Sequence, residues 1–326
     1  MAIFCPNTIS RRDFVKGSLA ALGAVLSSRN TSWASDATSN ERSSEKWAFV
    51  SDLHIPTDVS YNNRGFSPYK NLETIISKII SSAPDAVAIT GDLSLTTGQP
   101  GEYQNLKTLL TPLSEKAPLY VSLGNHDNRD NFLQVFERLP GKRQSVAGKY
   151  VVVAENKPVR VILLDSLLYP DSELGLLGTL QRKWLSDYLN RDDKTPTVLC
   201  FHHAIAGSDG DLWEKPRLYD ILGPISTTKS IKYSLLDISQ LYDIIVPISK
   251  VKAVIFGHSH AYCFSEYKGI HQINLPATGY NLNDKDPVGW VEVRWTAQGG
   301  DFILHTIGGN QDKDGTIKKL TWRSVH

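Results

Sequence analysis

A chain of 326 residues with 41% hydrophobic and 21% charged residues has the make-up of ordinary globular protein, long enough for one large core or two small ones. A formal charge of +1 and a pI of about 7.7 exclude a chain-wide electrostatic attraction to nucleic acid or acidic membrane, so anion recognition has to be local. Three cysteines, Cys5, Cys200 and Cys263, exclude a disulfide framework.

The N-terminus orders a basic motif, Ser10-Arg11-Arg12-Asp13-Phe14-Val15-Lys16, before an apolar run from Leu19 to Leu26, and Ser32-Trp33-Ala34 offers small residues for a signal peptidase. This order resembles a twin-arginine signal peptide over residues 1–34, which implies the export machinery as a partner and the bacterial periplasm or another extracytoplasmic space as destination. Cleavage there removes Cys5 and leaves a slightly acidic chain. The apolar run is shorter than the roughly 20 residues a membrane span needs. Residues 35–46, rich in Ser, Asn and Thr, read as a linker, and a single domain is expected over 47–326.

Trp47 to Val50 reads as a strand, and Leu72, Ile75, Ile76, Ile79 and Ile80 recur at helical spacing after it. Ala86 to Ile89 is a second strand, with a helix stripe at Tyr103, Leu106, Leu109, Leu110 and Leu113, and Leu119 to Leu123 a third. Tyr150–Val153 and Val159–Leu164 continue as strands around a turn at 156–158. A helix stripe at Leu177, Leu180, Trp184 and Tyr188 leads to a strand at Thr197–Phe201. Residues 207–229 lack periodicity and read as a surface insertion or a lid. Beyond Gly257 the chain is mostly β, at Ile273–Leu275, Val291–Val293 and Phe302–His305. Strands alternating with helices predict an α/β protein with a largely parallel first sheet.

Five short motifs fall where these strands run out: Asp52-Leu53-His54, Gly91-Asp92, Gly124-Asn125-His126-Asp127, Phe201-His202-His203 and Gly257-His258-Ser259-His260. They take up six of the nine histidines, and strand ends are the usual place for ligands in such sheets. On an extended segment Asp52 and His54, two apart, project to the same side. Gly91 leaves room for a sharp turn that lets Asp92 bridge two ions. Imidazole and carboxylate donors without thiolate suit iron, manganese or zinc, with iron and manganese favoured. Two such ions against two aspartates leave a net positive site that attracts a phosphate ester.

The ordered set of motifs resembles the calcineurin-like metallophosphoesterases from Trp47 to about Ile307, and within them the bacterial class III cyclic nucleotide phosphodiesterases. Gly98, Glu102-Tyr103, Arg129, Gln181 and Trp184-Leu185 add to the likeness. The resemblance implies a four-layer αββα sandwich of two facing mixed sheets flanked by helices. It also implies two metal ions, one held by Asp52, His54, Asp92 and His260 and the other by Asp92, Asn125, His202 and His258. A bridging water would then be activated for in-line displacement at phosphorus. His126 matches the family histidine that protonates the leaving oxygen. Ala204-Ile205 stands where the phosphodiesterase branch often has proline, which leaves the substrate open.

Around these residues, Asp127 is expected to orient His126 or cap the following helix, and Arg129 to contact phosphate or pair with Glu137 or Asp130. His203 is expected to support a ligand or to pack. Tyr280, Asn281 and Trp290 are candidates for a nucleobase pocket or for structural roles. Cys200 and Cys263, near His202 and His260, either pair after export or serve as small buried side chains. The expected function is exported phosphodiester hydrolysis of a small-molecule phosphoester. Phosphomonoesterase or pyrophosphohydrolase chemistry on the same site is the alternative, followed by a non-catalytic scaffold. Leu93-Ser94 after Gly91-Asp92 lacks the tyrosine of purple acid phosphatases.

Overall fold

In the computed structural model, which describes residues 44–155, 158–205 and 234–324, the strands form two mixed sheets. The first joins β1 (Ser44–Val50), β2 (Ala86–Thr90) and β3 (Leu119–Ser122) in parallel, and β1 also pairs antiparallel with β11 (Pro287–Thr296). Two further antiparallel strands, β12 (Gly299–Gly309) and β13 (Ile317–Thr321), extend it on that side.

The second sheet has the order β4 (Lys142–Gln144), β5 (Val151–Ala154), β6 (Arg160–Leu163), β7 (Thr197–Cys200), β8 (Val251–Phe256), β10 (Ile270–Asn274) and β9 (Cys263–Tyr267). Its four middle strands, β6, β7, β8 and β10, run parallel.

Successive strand residues point to opposite faces, and this sheet uses both. Val161, Leu163, Val198, Cys200, Ala253 and Ile255 join the core shared with the first sheet. Their neighbours Ile162, Leu199, Val254 and Phe256 belong to a second apolar cluster. That cluster is covered by α4 (Thr179–Leu189) and α5 (Ile238–Ile245). The first sheet is covered by α1 (Pro68–Ser82) and α2 (Pro100–Ser114), whose stripes Leu72, Ile75, Ile76, Ile79 and Tyr103, Leu106, Leu109, Leu110 are buried in the shared core. The result is the expected α/β sandwich of two facing sheets with helices outside.

Several boundaries differ from expectation. β1 begins at Ser44, paired with Thr296, so the last residues assigned to the linker are strand. The stripe through Leu177 and Leu180 is corrected: Leu177 is buried but precedes α4, Leu180 is 60% exposed, and the buried face is Gln181, Leu185, Tyr188 and Leu189. A polar residue on that face broke the apolar pattern, because Gln181 satisfies itself by donating to the Asp165 and Leu177 carbonyls. The short α3 (Arg129–Val135), β4, β9 and β13 carry no apolar pattern long enough to read; the expected strand at Ile273–Leu275 overlaps the end of β10, and α5, whose Ile238, Leu241, Tyr242 and Ile245 do recur at helical spacing, adds to the expected elements.

Cys200 and Cys263 lie on β7 and β9, with β8 and β10 between them, and three strand spacings of about 4.8 Å exceed the reach of a disulfide. Most of the leader and linker, the turn at 156–158 and the insertion at 207–229 lie wholly or mainly outside the described residues. No helix among the described residues is long and apolar enough to cross a membrane.

Candidate metal centre

The five motifs leave the carboxyl ends of β1, β2, β3, β7 and β8, three strands of one sheet and two of the other. Backbone bonds tie the loops together: Asp52 N–H donates to the Gly91 carbonyl (3.1 Å), His54 N–H to Asp92 (3.0 Å) and Gly257 N–H to His202 (3.0 Å). Asp52 and His54 have φ of 52° and 49°, so the expectation of an extended segment is corrected. Their side chains converge through two left-handed turns. Gly91 does turn sharply, at φ 102°, and Gly124 is closely approached, since a Cβ there would lie 2.2 Å from Asp92 Oδ1.

All seven expected ligands come together. Asp52, His54 and His260 offer donor atoms within 4.8 Å of one another, as do Asp92, His202 and His258, and also His54, Asp92 and His126. Asp92 Oδ2 stands between the sets, 3.6 Å from His54 Nε2 and 3.3 Å from His202 Nε2. Asn125 Oδ1 lies 3.2 Å from His202 Nε2.

Hydrogen bonds on the far side of two rings determine what faces inward. His202 Nδ1–H donates to the Thr90 carbonyl (3.0 Å) and His260 Nδ1–H to that of Tyr280 (2.6 Å), so each neutral ring presents an Nε2 lone pair. His260 Nε2 then meets His54 Nε2 at 3.0 Å and Asp52 Oδ1 at 3.4 Å. His202 Nε2 meets His258 Nδ1 at 3.1 Å, with the Asn125 and Asp92 oxygens beside it. Buried lone pairs that converge in this way repel unless a cation lies among them. The donor set fits metal ions at both positions.

Without ions, protons play that part. Burial raises Asp52 and Asp92, yet His260 beside the first and His202 beside the second hold both carboxyls below their usual range. Burial would lower His202, but Asp92 lifts it to about 9. His54 and His258 are driven by burial to about 3 and stay neutral.

The family profile "Calcineurin-like phosphoesterase" matches residues 46–262. The chain belongs to the calcineurin-like phosphoesterase family. A probable cyclic nucleotide phosphodiesterase of Vesicomyosocius okutanii is 26% identical over 241 residues, covering 74% of this chain and 89% of that one. A probable glycerophosphodiester phosphodiesterase of Arcobacter nitrofigilis is 31% identical over 156 residues, 47% of this chain and 55% of that one. Among solved structures, a dimetal phosphatase from Danio rerio has a TM-score of 0.62 at 11% identity, covering 86% of this chain and 99% of that one, a likeness of fold alone. This phosphoesterase is a metal-dependent hydrolase of phosphoric esters. Two metal ions are the norm in its family, and residues for a metal site are present.

His126 is half-buried at the edge of the phosphoesterase site, its ring 4.9 Å from that of His54. Its Nδ1–H donates to the Thr96 carbonyl (2.9 Å), and Thr96 is itself held through its N–H and hydroxyl by Glu102 (3.0 and 2.7 Å). Asp127 does not cap α3. It accepts from Gly124 N–H (2.8 Å), Leu93 N–H (3.2 Å) and Tyr103 O–H (3.1 Å), bracing the loop that carries His126, and burial lifts its pKa to about 6. The cap is Asn128, whose Oδ1 accepts from Asp130 and Asn131 N–H.

Arg129 pairs with neither of the acids expected. It forks onto buried Asp165, Nε to Oδ2 at 2.5 Å and Nη2 to Oδ1 at 2.8 Å, and also donates to the Leu167 carbonyl. Asp165 lies outside every motif, and its distance along the chain hid it.

His203 turns from the centre to Ser166. Ser166 Oγ accepts from His202 N–H (3.3 Å) and His203 N–H (3.2 Å), so its own proton goes to His203 Nδ1 at 2.8 Å. Adjacent histidines thus hold opposite tautomers. The Tyr280 ring, buried, lies 4.9 Å from His54, while Trp290 stacks on His305 at 4.4 Å and Asn281 donates to Asp286.

Proposed function

We propose that this phosphoesterase is an exported phosphodiesterase working with two metal ions. Asp52, His54, Asp92 and His260 would hold one ion, and Asp92, Asn125, His202 and His258 the other. The observation that carries the reading is the convergence of buried acceptor atoms on two positions joined by Asp92. Bound there, iron, manganese or zinc would supply Lewis acidity and a nucleophile at neutral pH.

The remaining chemistry belongs to the chain. His126, with Nδ1–H committed to the Thr96 carbonyl, keeps Nε2 to donate a proton to the leaving oxygen. Asp127 and Glu102 keep that ring in register from behind. Relatives named as cyclic nucleotide and glycerophosphodiester phosphodiesterases support a small phosphodiester as substrate. Arg11-Arg12 and the apolar run after them support export.

The test is metal analysis joined to an assay across cyclic nucleotides, glycerophosphodiesters, monoesters and dinucleotide pyrophosphates. Diesters are expected to turn over fastest. Asp92→Ala is expected to lose metal and turnover together, and His126→Ala to keep metal and lose turnover on an alkyl leaving group by about 100-fold or more. A panel led by monoesters, or a fully active His126→Ala protein, would overturn the substrate class or the acid. Replacing Arg11 and Arg12 by lysine is expected to retain the protein in the cytoplasm; normal secretion would remove the export reading.

A further inference from the structure

Behind Asp52 runs a buried relay. Thr90 Oγ1 lies 2.7 Å from Ser51 Oγ, which lies 2.5 Å from Asp52 Oδ2, and all three residues are fully buried. A carboxylate only accepts, so the Ser51 proton goes to Asp52 and the Thr90 proton to Ser51. Asp52 Oδ2 is thereby engaged by the Ser51 hydroxyl, His258 N–H is shared between the two oxygens at 3.1 Å from each, and Oδ1 faces His260 Nε2 at 3.4 Å. The chain keeps the relay clear: a Cβ on Gly257 would come within 2.0 Å of Ser51 Oγ and 2.4 Å of Asp52 Oδ2.

We infer that Ser51 is a positioning residue, which fixes the Asp52 carboxylate with Oδ1 toward the cation position it shares with His54 and His260, and that Thr90 sets the direction of the Ser51 hydroxyl. The inference rests on the reading that these residues hold a metal ion. Partners of a ligand's far side tune affinity by about 10–100-fold in metal sites. The hydroxyls of the relay reach the carboxylate of one position only, while the Thr90 carbonyl that holds His202 stays in place when a side chain is changed, so loss of the hydroxyls should act on the Asp52 position.

Equilibrium dialysis with Mn²⁺ of the full-length protein, run beside urea unfolding of the metal-free form, tests this. Ser51→Ala is expected to bind one of two ions about 10–100-fold more weakly and the other as wild type does. Thr90→Val, which puts a methyl group in place of the hydroxyl, is expected to weaken the same ion by less, and Thr90→Ser, which keeps the hydroxyl, to bind it as wild type does. Thr90→Val against Thr90→Ser carries the test if Ser51→Ala does not fold. Wild-type affinity for both ions in Ser51→Ala, or equal weakening of both, would overturn the inference and leave the two-ion reading standing. A wild-type protein that binds no ion would remove both.

Discussion

Asp165→Asn separates a structural role of Arg129 from a catalytic one. Asp165 is fully buried, and each of its oxygens serves one arm of Arg129 and one backbone N–H, Tyr150 at 2.8 Å on Oδ2 and Leu167 at 3.0 Å on Oδ1. An amide keeps one of those oxygens and turns an NH₂ group onto the other pair of donors. Breaking a buried ion pair on one side costs about 3–5 kcal/mol, against about 5–15 kcal/mol holding a typical domain together. Urea unfolding of the metal-free protein should show that loss as a lower midpoint at unchanged slope.

Arg129→Met should cost a similar amount, because it leaves the buried carboxylate two backbone N–H groups and, as its remaining cation, Lys149 at 3.8 Å. The double variant should cost about 1–3 kcal/mol less than the sum. The pair also anchors the segment whose Asp171 N–H donates to the Asn125 carbonyl at 2.7 Å, so weaker metal binding should accompany the destabilisation. Additive effects, or a cost under about 1 kcal/mol for either single change, would refute this reasoning and return Arg129 to the role of a phosphate contact.

Gly124→Ala should be among the most damaging single-methyl changes. A Cβ 2.2 Å from Asp92 Oδ1 and 2.4 Å from Asp92 N forces the carboxylate aside, costing about 1–3 kcal/mol and the metal; dialysis that finds both ions bound normally would contradict it. Asn128→Ala should cost only about 1 kcal/mol, the worth of the α3 cap, with metal binding unchanged in the same dialysis. In the metal-free protein His202 is raised from 6.5 to about 9, so its contribution to stability is complete below 6.5 and disappears as the pH climbs to 9. Unfolding midpoints should decline across that window from this contribution, and ion binding within it should release a proton, seen as a buffer-dependent heat; a buffer-independent heat would show that His202 is neutral beforehand.

What was legible in the sequence was what is local. Gly91-Asp92 and Gly257 to His260 read correctly as strand ends because a hydrophobic run, a glycine and a ligand sit within a few residues. The partners of those residues were not legible. Asp165 reaches Arg129 across 36 residues, and Thr90 reaches His202 across 112, through sheet pairing that periodicity does not encode. Asn128 was hidden by its neighbour: Asp127 is an equally good helix cap by type, and only the donors at Gly124 and Leu93 reveal that its carboxylate is already taken. The α4 stripe misled for a related reason, since Gln181 is buried by its bonds rather than by its hydropathy.

The geometry that brings the ligands together was the least predictable part, and it bears most directly on function. Nine non-glycine residues among those described have positive φ, and five of them are Asp52, His54, Asp92, His258 and His260. Such conformations cost about 1–3 kcal/mol each, so the five together are comparable with the whole net stability of a domain. Propensity would never select them. They persist because backbone bonds between loops hold them, Asp52 to Gly91, His54 to Asp92 and Gly279 to Asp52, and because two seven- and six-stranded sheets anchor the strands from which those loops spring. The strain of the site is therefore carried by the scaffold from which its loops spring. The large paired sheets therefore serve the chemistry by holding the ligand loops in a shape the loops would not adopt alone.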